Sequence, residues 1–203
     1  RALWYHPMEA AVLLYPGCIL FEIALAAEVL AEHLPVRYYT TDGRPHEASN
    51  GATITPAGDL EALGRAPAKA VLVPGGDPRS LLLPKPVAAK ALQAQADAGA
   101  VIAGICAGSL VMAAAGLLRG RRGTHNYTAE HAPPEKVAAT KAYWEGMSFE
   151  RSDLVRDGQF VTAQPWAYRE YAAELARAVG VLSNEAAERL TQYVALRSYT
   201  RGA

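Results

Sequence analysis

With two cysteines in 203 residues, Cys18 and Cys106, the chain has no material for a disulfide framework. That scarcity suits a reducing compartment, so a cytoplasmic location is expected. The chain also lacks a charge of one sign. Lys+Arg and Asp+Glu stand at 20 each, which gives no electrostatic reason to expect nucleic acid or an anionic membrane as partner. No P-loop and no Gly-x-Gly-x-x-Gly is present, and Gly75-Gly76 alone is too short for a phosphate-binding fingerprint. There is no linker, internal repeat or low-complexity segment, so one domain spanning 1–203 is expected. The opening RALWYHPMEA lacks the long apolar segment of a secretory signal, and 1–9 read as an N-terminal extension. Neither a cofactor nor a metal site is expected. His131 and Glu135 have the spacing of one helical face, but Pro133 and Pro134 argue against a helix there.

The chain does hold about twenty residues without a charge, Ala98 to Leu118, close to the length of a membrane span. Four glycines punctuate it: Gly99, Gly104, Gly108 and Gly116. The residues before Cys106 read as a buried strand. Those after it, Ser109 to Ala115, read as a helix closed by Gly116. Strand, sharp turn and helix with Gly-x-Cys-x-Gly at the turn is the layout of a nucleophile elbow with Cys in place of Ser. Flanking glycines would let neighbouring chain approach a strained nucleophile. The helix N-terminus behind the sulfur would favour the thiolate and lower its pKa. The competing reading is a small buried apolar Cys106.

Around the elbow the pattern alternates. Ala10 to Tyr15 is an apolar run ended by Pro16-Gly17, followed by a helix reaching His33 and a second strand, Val36 to Thr40. Short strands are expected around 53–55 and a short helix over Leu60 to Leu63. Ala70 to Val73 forms a third strand ending in Pro74-Gly75-Gly76-Asp77, and a helix from about Pro86 to Ala98 leads into Val101 to Ile105. Later, a short strand ends near Thr124 to Tyr127, and His131 to Trp144 is a loop with a short helix. Strand-like stretches at Phe149 to Arg151 and Leu154 to Arg156 precede an Asp157-Gly158 hairpin into Gln159 to Ala163. Helices over Tyr168 to Val179 and Glu185 to Tyr199 close the chain. The expectation is an α/β three-layer sandwich with a mostly parallel central sheet, flavodoxin-like.

In such sheets ligands bind at the carboxyl ends of the strands. Three loops should meet there: one with Cys18 and Glu22, one with Gly75-Gly76, and one with Cys106. A thiolate attacking a carbonyl-like carbon creates charge on oxygen, and the backbone N–H groups of Gly76 and Ala107 are the natural donors. Glu22, near its helix start, either donates to the sulfur as a neutral acid or merely complements the helix dipole. His125 follows a strand soon after the elbow helix and is the candidate general base; the alternative is a half-exposed loop histidine. Trp4, Trp144 and Trp166 read as core or interface anchors.

These pieces resemble the ThiJ/PfpI family of the class I glutamine-amidotransferase-like superfamily. The resemblance rests on Leu14-Tyr15-Pro16-Gly17 with Glu22 and Glu28-Val29-Leu30, on Val73-Pro74-Gly75-Gly76, and on Gly104-Ile105-Cys106-Ala107-Gly108. It continues through Gly116-Leu117-Leu118 to Gly120-Arg121-Arg122 and through Val155-Arg156-Asp157-Gly158 to Thr162-Ala163, about residues 10 to 180. It implies Cys106 as nucleophile, Glu22 as its protonated carboxyl partner, Gly76 and Ala107 as backbone donors, and a homodimer. The family includes deglycases, glyoxalases, isonitrile hydratases, stress proteins and members labelled proteases. Its proteolytic branch carries His directly after the Cys, where this chain has Ala107. A glutaminase places its His late, and here no His follows residue 131. Many members carry Thr-Thr-His after the elbow helix; an ungapped count puts Asn126 there, with His125 one residue early. The expected function is thiolate addition to an electrophilic carbon of a small-molecule substrate. The alternatives are a redox sensor oxidised at Cys106, with Cys18 as a possible resolving thiol, and a regulator's ligand-binding domain, which the lack of DNA-binding helices after Tyr199 disfavours.

Overall fold

A computed structural model describes residues 8–192. Six strands form the central sheet: β1 (Glu9–Leu13), β2 (Val36–Tyr39), β3 (Ala68–Val73), β4 (Val101–Ile105), β7 (Leu154–Asp157) and β8 (Phe160–Ala163). Their order is β2-β1-β3-β4-β8-β7. All neighbours are parallel except the hairpin pair β7 and β8. The order reverses beside β1, where the chain goes first to β2 on one side and then to β3 on the other. That is a switch point, with the crevice over the strand ends that such a reversal opens. β5 (Arg122–Gly123) and β6 (Ser148–Phe149) make a separate two-stranded parallel pair.

β1 and β4 are buried at every residue, which accounts for their unbroken apolar runs. Helices α1 (Phe21–Ala31), α7 (Tyr168–Ala178) and α8 (Asn184–Gln192) lie on one side of the sheet, α1 packing on α7 and α7 on α8. Helices α2 (Leu60–Arg65), α4 (Ala89–Asp97) and α5 (Ala107–Ala114) lie on the other. The mixed three-layer fold is therefore as expected.

Several boundaries differ. β1 begins at Glu9, one residue inside the stretch read as an extension, and that carboxylate is buried because the Tyr39 hydroxyl donates to it. The helix expected from Pro86 begins at Ala89; the proline stands in the loop before it, after a short unforeseen helix α3 (Arg79–Leu82). Around 53–55 there is one isolated bridge, Glu47 with Thr53. The short strand after the elbow helix is Arg122–Gly123, earlier than expected. The adjacent prolines open a helix instead of preventing one: Pro133 caps and Pro134 is the first residue of α6 (Pro134–Thr140), where a missing N–H costs nothing. A 3₁₀ turn over Lys141–Trp144 follows. Of the final helix, 184–192 is described, and the rest of the expected Glu185–Tyr199 span, like Trp4, lies outside the described residues. No helix among the described residues is long and apolar enough to cross a membrane.

Candidate active site

Cys106 is the single non-glycine among the described residues with a positive φ (φ 56°, ψ −126°). That strained conformation puts the sulfur above the end of β4 with α5 starting at the next residue. Its neighbours have no room for side chains. A Cβ on Gly108 would lie 1.9 Å from the Val73 carbonyl oxygen, and one on Gly104 would lie 2.5 Å from the Gly108 backbone. The elbow is thus clamped between β3 and its own helix by two close backbone approaches.

Glu22 comes from the first turn of α1, on the face shared with Ala26 and Leu30 that packs inward, and is 2% exposed. Its Oε2 accepts the Gly75 N–H at 2.7 Å. Its carboxyl is also hydrogen-bonded to the Cys106 thiol. A Cβ on Gly75 would sit 2.4 Å from that carboxylate oxygen and 2.7 Å from the sulfur, so the two groups converge on a point that only glycine leaves free. The Gly75-Gly76 loop is held by its own pairing: Ile19 N–H donates to the Gly75 carbonyl at 2.9 Å, and Gly76 bridges Cys18. Gly76 adopts φ 124°, with the Gly17 carbonyl where a Cβ would go. Its N–H and that of Ala107 both point at the Cys106 sulfur.

The electrostatics reverse one expectation. Burial pushes the Cys106 thiol up to about 12, with the ionised Glu22 carboxylate adding to the rise, and the two N–H groups only partly oppose it. The dipole of one helix end does not outweigh desolvation beside an acid. Burial also pushes Glu22 up to about 7, against the lowering effect of the Gly75 N–H and the thiol. The two groups form one coupled unit whose first proton leaves near neutrality and whose second is strongly retained.

His125 and Trp166 fall apart from this pair, while Cys18 lies beside it. His125 makes no hydrogen bond to Cys106 or Glu22. Its Nδ1 accepts the Tyr127 N–H at 3.1 Å, and its ring stacks on Trp144 with centroids 3.9 Å apart and lies against Phe149 at 4.8 Å. Burial lowers its pKa to about 4, so the ring is neutral at pH 7. Cys18 is buried and bridges Gly76; burial raises its thiol, and the Glu22 carboxylate adds to the rise. Trp166 is 48% exposed and donates to Asp153 at 2.7 Å.

Sequence reasoning missed the wall in front of the sulfur. Cys106 packs against a small cluster of Leu82, Ala107, Leu110 and Tyr127. Leu82, Leu110 and Tyr127, with Gly76, also line an adjoining cleft of about 630 Å³ that reaches Lys136, Ala139 and Tyr143 of the α6 region. The Tyr127 hydroxyl lies near Cys106, Glu22 and Asp77. It has no hydrogen-bond partner among the described residues. No spacing in the chain announces these contacts, because they come from four separated segments.

Residues 8–178 match the model of the DJ-1/PfpI family. The chain belongs to that family. It is 32% identical over 127 residues to an uncharacterized protein of Streptomyces lividans, covering 60% of this chain and 89% of that protein. It is also 32% identical over 108 residues to the glutathione-independent glyoxalase DJR-1.2 of Caenorhabditis elegans, covering 53% of this chain and 58% of the nematode protein. Among solved structures, a DJ-1 superfamily protein of Agrobacterium tumefaciens superposes with TM-score 0.78 at 24% identity, over 93% of this chain and 98% of that one. DJ-1beta of Drosophila melanogaster gives 0.72 at 22%, over 94% and 98%. Both likenesses concern the fold.

Proposed function

We propose that this DJ-1/PfpI protein is an enzyme that adds the Cys106 thiolate to an electrophilic carbon of a small molecule, such as a 2-oxoaldehyde or an isonitrile. The observation that carries the reading is the Glu22–Cys106 pair on a strained elbow, beneath two inward N–H groups. When the pair has lost one proton, it exchanges between a carboxylate facing a thiol and a neutral acid facing a thiolate. The second form is the nucleophile. Its sulfur forms a bond to the substrate carbon, the displaced π pair goes to oxygen or carbon, and the Glu22 carboxyl supplies the proton that quenches it. Gly76 and Ala107 N–H groups steady the developing charge, and the Gly75 N–H holds the carboxylate left behind. On the 2-oxoaldehyde adduct the Glu22 carboxylate then carries a proton from the former aldehyde carbon to the neighbouring carbonyl carbon, turning the hemithioacetal into a thioester. Water hydrolyses that thioester, or the thioimidate formed from an isonitrile, and restores the thiol. A 2-oxoaldehyde plus water gives a 2-hydroxy acid, and an isonitrile plus water gives a formamide; neither needs an outside oxidant or reductant. The glyoxalase name of the nematode relative supports the first substrate class. His125, neutral and stacked, enters as a wall under Tyr127, whose free hydroxyl is the better-placed hydrogen-bond donor. The test is turnover of 2-oxoaldehydes and isonitriles: Cys106→Ser is expected to lose at least a thousandfold, and full turnover in that variant overturns the reading.

A second reading rests on the same cradle. Two N–H groups and a neutral Glu22 would also hold a sulfinate on Cys106, making the protein a redox sensor. Intact mass after mild peroxide separates the two: two oxygens confined to Cys106, with no turnover of either substrate class, would favour the sensor.

A further inference from the structure

The cleft of about 630 Å³ beside Cys106 is far larger than the reacting group of any small electrophile. It falls within the range of sites that enclose molecules of ten or more heavy atoms. A three-carbon oxoaldehyde has five heavy atoms and would leave most of the space to water. Cys106 is not itself part of the lining; the cleft adjoins it through Gly76, whose N–H points at the sulfur, and through Leu82, Leu110 and Tyr127 of the cluster against which Cys106 packs. Its far walls are the short α3 helix on one side and Ala139 and Tyr143 on the other, with Leu83 at the mouth. The charged groups stand at the rim. Asp77 and Arg79 neutralise one another through a two-pronged ion pair with contacts of 2.9 Å. Lys136, close enough to act on Asp77, makes no ion pair of its own among the described residues.

We propose that the substrate carries an aryl or branched-alkyl body that fills this cleft while its electrophilic carbon lies at Cys106. This rests on the reading of Cys106 as a reactive thiol and adds the substrate class. The rim carries a net positive charge, so the body is uncharged or anionic. Burying one ring against Leu82, Leu110 and Tyr143 is worth roughly 10- to 100-fold in affinity. Binding energy gained there, away from the reacting carbon, fixes that carbon over the sulfur.

Two measurements test this without knowing the substrate. The first compares alkylation of Cys106 by chloroacetamide and by N-benzyl chloroacetamide, followed by intact mass. The benzyl compound is expected to react at least tenfold faster and to saturate. Ala139→Trp, an exposed position on α6 that tolerates a large side chain, is expected to bring the ratio of the two rates towards one. The second titrates N-benzylacetamide, which has no leaving group, into the Cys106→Ser variant by NMR. Resonances of Leu110, Ala139 and Tyr143 are expected to shift, and Ala139→Trp to abolish the shifts. If chloroacetamide alkylates Cys106 and the benzyl group brings no gain, the size inference fails while the thiol reading stands. If neither reagent alkylates the folded protein but N-benzylacetamide still binds, the thiol reading fails and the cleft's occupant class survives. Absence of binding overturns the inference. So does an Ala139→Trp variant that changes the sedimentation coefficient, which would make the cleft an interface between copies of this chain.

Discussion

Replacing Glu22 by Gln separates the two effects of its carboxyl on Cys106. In the wild type, the thiolate that forms below about pH 7 faces a neutral carboxyl, and its population rises tenfold per pH unit. Above about 7, Glu22 ionises. Each further gain in thiolate is then cancelled by loss of the neutral carboxyl, and the reactive form stops growing. A carboxylate about 4 Å away costs a thiolate about 4 kcal/mol at an effective dielectric of about 20, three powers of ten in its ionisation. The doubly ionised pair therefore stays absent until far above neutrality, in line with a thiol pushed up to about 12. In Glu22→Gln the amide keeps a donor near the sulfur but carries no charge, so the thiol titrates alone. Alkylation by chloroacetamide is expected to level off near pH 7 in the wild type and to keep rising in the variant. At pH 9, two units past the plateau, the variant should react up to about a hundredfold faster. At pH 6 the two should agree within a few fold. Turnover should move the other way, falling about 100-fold at every pH, because an amide has no proton to surrender. A wild-type rate that climbs tenfold per unit from pH 6 to 9, or the same plateau in the variant, would refute the coupling of Glu22 to the sulfur. The same substitution has a signature in stability. A carboxyl raised from 4.5 to about 7 binds more protons folded than unfolded between those values, so stability falls as pH rises through that window and is constant above it. Removing the group should stabilise the protein at pH 8 by about 3 kcal/mol and change little at pH 4.

Three further outcomes follow from single contacts. His125→Phe keeps the stack on Trp144 but removes a group whose pKa falls from 6.5 to about 4 on folding; such a group withdraws stability as pH falls through that range. The stability at pH 4.5 relative to that at pH 7, read by urea unfolding, should therefore be about 2 kcal/mol more favourable in the variant than in the wild type, and an unchanged difference would mean that the His125 pKa does not fall on folding. Gly108→Ala places a Cβ 1.9 Å from the Val73 oxygen, which backbone must relieve, so a loss of about 3 kcal/mol or more is expected from thermal or urea melts. Tyr127→Phe should lower turnover by roughly 10- to 100-fold, about the worth of one positioned proton donor or less, while leaving the pH profile of chloroacetamide alkylation in place; a shifted profile would instead tie the hydroxyl to the Glu22–Cys106 pair.

Legibility in the sequence follows how local each cause is. The elbow is readable because strand, turn and helix are consecutive, and because its glycines answer to clashes within a few residues, such as Gly104 against Gly108. The fold is readable for a similar reason: β1 and β4 are buried on both faces and write that burial as unbroken apolar runs. The prolines of α6 misled because the same missing N–H that breaks a helix interior suits its first residue. The charge state of the site was less legible. A helix N-terminus favours a thiolate by its dipole, and that much is visible from residue order. The opposing effect is larger: desolvation of Cys106 together with a carboxylate brought from α1, across 84 positions of sequence by residue number. The cleft is harder still, since Leu82, Leu110, Tyr127 and Ala139 meet only when α3, α5 and α6 are packed. A sequence can therefore show which atom a turn holds up well before it shows what that atom meets. The geometry of the elbow is set by a few adjacent residues, whereas the shape of the cleft beside it is set by segments that approach from distant parts of the chain.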